Sequence, residues 1–98
     1  MEVAHSINRV PIGLTEERWN HIVNSHDDLA GYDDDCLQAI EEPDLILRGR
    51  HGSLKAVKSY GRNRYLIVVY REIDADDGFV ITAYFVRKIN RRHVVWRR

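Results

Sequence analysis

Ninety-eight residues, 44% hydrophobic and 31% charged, are enough for one folded domain with its own core and exclude a disordered chain. The single cysteine, Cys36, excludes an internal disulfide and fits a reducing cytoplasm. The net charge of zero hides a split: residues 1–46 set two cations against eleven acids and residues 47–98 thirteen against four, so −9 is followed by +9.

Such a split favours a polyanion-binding face in the second half, although two halves that neutralise each other in the fold would show it too. The first ten residues hold an early acid and no apolar run, so no secretory signal is expected. No stretch approaches the ~18–20 apolar residues that span a bilayer, so no membrane partner is expected. Without a repeat or a linker, residues 1–98 read as one domain.

In chain order, residues 1–13 read as irregular or as a short edge strand. Thr15 caps a first helix, with Glu16 and Glu17 at the positive end of its dipole. Leu14 and Trp19 are spaced as a hydrophobic staple. The apolar stripe runs Trp19, Ile22, Val23 and on to His26, and Gly31 punctuates the end. A second helix covers about Asp33 to Glu42, with Cys36, Leu37 and Ile40 as its buried stripe and Pro43 as its stop. Strands follow at Leu45–Arg50, Ser53–Tyr60, Tyr65–Ile73 and Phe79–Ile89, with a short last one at His93–Trp96. The Gly49–Gly52, Gly61–Asn63 and Asp74–Gly78 segments supply turns. The expected fold is α+β: two N-terminal helices packed on one face of a four- to five-stranded antiparallel sheet, whose other face is open.

Side chains alternate across a sheet. If even residues pair with even across the Asp74–Gly78 loop, Tyr70 lies near Thr82. The odd residues of the two long strands then form the core, and Tyr70, Thr82 and Tyr84 stand on the open face, with Lys58 able to join them. A one-residue slip reverses the assignment. That aromatic and cationic face suits base stacking and phosphate binding.

His26 ends the first helix, where the dipole favours imidazolium. Histidine titrates near physiological pH and suits a general acid or base. His21 lies about 200° round the helix from Trp19, toward solvent. His51, in the turn with Arg50, can reach the open face. No Cys/His/Asp spacing reads as a zinc site, the aspartates at 33–35 lack the calcium-loop pattern, and Cys36 sits on a buried stripe. No metal and no cofactor is expected.

Four segments together are familiar: Arg18-Trp19-Asn20-His21-Ile22-Val23-Asn24-Ser25-His26, Pro43-Asp44-Leu45-Ile46-Leu47, the Tyr65–Tyr70 strand and Ile81-Thr82-Ala83-Tyr84-Phe85. They resemble small phage and bacterial domains of the barnase, EndoU, colicin and RelE ribonuclease superfamily, over roughly residues 10–90. The resemblance implies helices on a four-stranded antiparallel sheet and toxin-like, metal-independent RNA cleavage on the open face. It implies polar site positions at His26 (or His21), a basic strand residue such as Lys58 or Arg71, Thr82 and Tyr84. The expected catalytic set is thus His26, Lys58, Arg71, Thr82 and Tyr84, with His21, Arg50, His51, Tyr70 and Arg87 binding substrate. RNA is the expected partner, with an acidic antitoxin or immunity-type protein as neutraliser. The rival readings are a non-catalytic RNA-binding module and a protein-interaction domain that use the same basic sheet.

Overall fold

The computed structural model describes all residues, 1–98. The chain forms β1 (Glu2–His5), β2 (Pro11–Leu14), α1 (Glu16–Ser25), a 3-10 turn (Asp27–Leu29), α2 (Asp33–Glu41), β3 (Leu45–Arg48), β4 (Leu54–Ser59), β5 (Tyr65–Asp74), β6 (Asp77–Val86), a second 3-10 turn (Arg91–His93) and β7 (Val94–Arg97). All seven strands belong to one sheet, in the order β1-β2-β6-β5-β4-β3-β7. No helix is long and apolar enough to cross a membrane.

This corrects the expected architecture in three ways. The helices are not N-terminal, because the β1–β2 hairpin precedes them. The sheet has seven strands rather than four or five. It is also mixed, since β2 runs parallel to β6 through Ile12↔Gly78 and Gly13↔Phe79. The hairpin was hidden by its residues. Pro11 opens β2, where a missing N–H is tolerated, and Gly13 adds no β signal. The hairpin is closed instead by local polar bonds: Ser6 Oγ accepts from Val10 N–H at 3.2 Å, and Arg9 takes a positive φ of 64°.

The helices form where capping and periodicity place them. Thr15 Oγ1 accepts from Arg18 N–H at 3.0 Å. α1 ends at Ser25, and the His26 N–H closes it on the Ile22 carbonyl at 2.8 Å. Ile22, Cys36, Ala39 and Ile40 then pack on Ile46, Ala56, Leu66, Val68, Tyr70, Val80 and Ala83 as the main core. Burial, and then Asp35 and Asp33, push the Cys36 thiol up to about 12, so it stays protonated and inert as a nucleophile.

The expected facing of β5 is reversed. Its even residues Leu66, Val68 and Tyr70 lie under the helices, while Ile67 and Val69 face the other way. β6 does not keep one parity. Val69 pairs with Thr82 and Tyr70 with Val80, so Ile81 is an extra residue. This bulge leaves Val80 and Ala83 under the helices, while Phe79 (paired with Arg71), Ile81, Thr82 and Tyr84 lie on the second face. Thr82 therefore sits opposite Val69, not beside Tyr70.

Nor is the second face fully open. To reach the outer edge of β3, the chain after β6 crosses the sheet. Ile89 and Val94 pack against the second apolar cluster of Leu45, Leu47, Val57, Ile67 and Val69. Residues 87–93 form a basic strap over one end of this face.

Tyr70 is fully buried and its hydroxyl has no hydrogen-bond partner. An orphaned buried hydroxyl costs about 1–3 kcal/mol, so Tyr70→Phe should be at least as stable as the parent in urea unfolding at neutral pH. Burial, and then Glu72, raise the phenol above its ordinary 10.0. The folded chain then keeps a proton that the unfolded chain loses above that pH. Stability falls as pH rises past about 10, and Tyr70→Phe should lose less of it there.

Candidate functional site

The second sheet face holds a depression of about 380 Å³. Its rim is polar: Arg50 and His51 from the β3–β4 turn, Lys55 from β4, Arg71 from β5, and Thr82 and Tyr84 from β6. Val69 and Ile81 form an apolar floor, and Phe79, 40% exposed, stands beside it.

The turn that presents His51 is built for the purpose by its residues. His51 has φ 54° and Gly52 φ 79°, the two positive values of a type I′ hairpin turn. Glycine takes that conformation freely, and histidine more readily than most side chains. Ser53 N–H bonds the Arg50 carbonyl at 3.0 Å and Ser53 Oγ donates to the same oxygen at 2.7 Å. Ser53 is thereby satisfied although only 5% exposed. Arg71 Nη2 lies 4.0 Å from where a Gly52 Cβ would stand, so the guanidinium reaches back beneath the turn.

No carboxylate lines the depression. The one ion pair of the chain, Arg98 with Asp44 at 3.5 Å, is elsewhere, so Arg50, Lys55 and Arg71 are uncompensated cations. Converging cations over a half-apolar floor attract an anion and hold it in a medium less polar than water. A narrower groove of about 180 Å³ continues from the depression under the strap. Lys55 and Tyr84 line both cavities.

Of the ten residues singled out in the sequence, Arg50, His51, Arg71, Thr82 and Tyr84 meet at this depression. His26 caps α1 and rests its ring on that of Tyr84, centroids 5.9 Å apart and tilted 39°. It lines neither cavity, and its place is behind Tyr84. Lys58 is not on this face: its Nζ donates to the Glu42 carbonyl at 2.9 Å, at the end of α2, because β4 alternates and Lys55 takes the facing position. Tyr70 is in the core. His21 lies on α1 with Thr15, Glu17 and Arg18. Arg87 lies with Arg62, Arg64 and Asp28 in a separate shallow hollow.

Ser53, Lys55, Val69, Phe79 and Ile81 are the members that the sequence reading missed. Lys55 lies three residues from Lys58, hence on the opposite face. Correct strand parity would have selected it. Glu2, Asp33 and Asp34 bring carboxylate oxygens within 4.8 Å of one another. They share no residue with the depression. Compared with protein-family models, curated proteins and solved structures, the chain has no match.

Proposed function

We propose that this chain is an endoribonuclease that cleaves by attack of a ribose 2′-OH on the adjacent phosphate, without a metal. One observation carries the reading: a single carboxylate-free depression presents a histidine, two strand-borne cations, a hydroxyl and a tyrosine together. Magnesium and calcium sites are built from carboxylates and carbonyls, and this donor set supplies none of the former. It does supply what transesterification needs.

His51 takes the 2′-OH proton as general base. The O2′–P bond forms as the P–O5′ bond breaks. Arg71 and Lys55 hold the charge that grows on the non-bridging oxygens, where preorganised donors contribute most. Thr82 donates a hydrogen bond to the phosphate. Tyr84, steadied by His26, donates its hydroxyl proton to the leaving 5′-oxygen, the proton held by His51 returning to the tyrosinate through solvent, and Phe79 offers a stacking face. The products are a 2′,3′-cyclic phosphate and a 5′-hydroxyl, and DNA, lacking the 2′-OH, is left intact. The likeness of the α1 and β6 segments to the barnase, EndoU, colicin and RelE superfamily supports the same reading. The proposal extends to a toxin-like role in the cytoplasm, restrained by an acidic antitoxin or immunity-type partner whose charge would complement this face.

A second reading uses the same residues without chemistry. The apolar floor and exposed Phe79 are what a base-stacking RNA-binding surface requires. Incubation of labelled RNA with the protein in EDTA separates the two. The expected result is a cyclic-phosphate product whose rate falls ~10²–10⁴-fold in His51→Ala, the weight of a general base. Retention of RNA with no product after long incubation would establish the binding module instead.

A further inference from the structure

We infer that the groove under the C-terminal strap is a base-binding subsite, and that the substrate is therefore single-stranded RNA with an unpaired base beside the bound phosphate. The inference rests on the proposed RNA reading and specifies its substrate. The groove adjoins the depression through Lys55 and Tyr84, which line both. A phosphate over Lys55 therefore places the next nucleoside at the mouth of the groove.

The lining suits a base rather than a second phosphate. Leu47, Ile67, Val86 and Ile89 make an apolar slot, with Tyr84 at one side. Its volume of about 180 Å³ is more than ten times the ~10–15 Å³ that one water needs, so it takes a group of several heavy atoms. Polar atoms lie at the strap. Asn90 Oδ1 already accepts from Arg92 N–H at 3.0 Å, which leaves the Asn90 amide nitrogen free to donate to an acceptor on a base edge. Arg48, Lys88 and His93 also line the groove, and the two cations suit the phosphates that flank the base.

The strap also decides against a duplex. Ile89 and Val94 hold residues 87–93 down on the sheet, so the slot lies between strap and sheet, and it meets the depression at Lys55 and Tyr84. In A-form RNA the bases are stacked and paired inside, and only an unpaired base can turn into such a slot.

The test measures anisotropy of a short, uncleavable 2′-O-methyl RNA in three forms: single-stranded, with its central bases removed, and annealed to its complement. The intact single strand should bind at least ~10-fold tighter than the other two, the weight of one stacked base. Ile89→Trp, which fills the slot, or Asn90→Ala should shrink that difference. Equal binding of the intact and abasic strands, or of single strand and duplex, overturns the inference while leaving RNA binding in place. Binding of none of the three forms overturns the ribonuclease reading itself, and the subsite with it.

Discussion

Arg71→Ala should slow RNA cleavage by ~10²–10³-fold, the usual loss when one preorganised donor to a developing oxyanion is removed. Its guanidinium is uncompensated by any carboxylate, projects beneath the His51–Gly52 turn, and shares the depression with Lys55. Arg71→Lys should recover part of the rate, since it restores the charge but not the planar fork that pairs with two phosphate oxygens. If both cations hold one phosphoryl group, Arg71→Ala and Lys55→Ala combined should cost less than the product of the single losses. Arg71 is exposed, so thermal unfolding should move little, within about ±0.5 kcal/mol. Single-turnover rates and a melting curve measure both. A full cleavage rate in Arg71→Ala would remove this residue from the chemistry. The binding reading makes its own prediction for the same variant: the slope of log affinity against log salt should fall by about 0.7.

The legible parts of the molecule were those whose signals are local. The Thr15 cap, the α1 and α2 stripes and the Pro43 stop each depend on neighbours within one or two turns of chain. The basic character of residues 47–98 was equally plain from charge. The sheet register was not, and the reason lies in β5. From Leu66 to Tyr70 every residue is buried, because one face lies under the helices and the other carries the second apolar cluster beneath the strap. A strand buried on both faces shows a continuous apolar run and no alternation. Nothing local then says which parity faces the helices.

The β6 bulge had no signal either: Ile81 is an ordinary strand residue whose extra place shows only against Val69 and Tyr70. It is nevertheless what puts Thr82 and Tyr84 on the same face as Ile67, Val69 and Arg71. The selection of Thr82 and Tyr84 thus rested on a parity that holds in that half of β6 alone. The same parity applied to β5 misplaced Tyr70, and Lys58 was chosen where Lys55 stands.

Gly78→Ala should destabilise the fold by about 3 kcal/mol, at the upper end of what overpacking costs. In the sequence this glycine reads as the last residue of a turn. In the structure the β5–β6 turn is shorter, closed by Asp76 N–H on Asp74 Oδ1 at 2.8 Å, and Gly78 lies inside β6, buried. It is the point where three strands meet, paired with Ile12 of β2 on one side and Glu72 of β5 on the other. A Cβ there would stand 2.5 Å from Ile12 Cδ1, 2.7 Å from the Arg71 carbonyl and 3.4 Å from the Pro11 carbonyl. The Ile12 side chain can turn aside and the Pro11 carbonyl is at ordinary contact distance, but the Arg71 backbone oxygen cannot yield, so β5 and β6 must part locally while the Ile12 packing that seats β2 is disturbed. Only two residue pairs join β2 to β6, and the β1–β2 hairpin should be the first part to loosen. For a domain of this size 3 kcal/mol lowers Tm by roughly 12–24 °C. Hydrogen exchange should show protection lost in residues 2–14 before β4 and β5. Because the Arg71 backbone takes part in the clash, cleavage at temperatures where the variant is folded should fall as well. A melting temperature within a few degrees of the parent would mean that the three strands yield at this junction, and that the parallel β2–β6 contact contributes little to the fold.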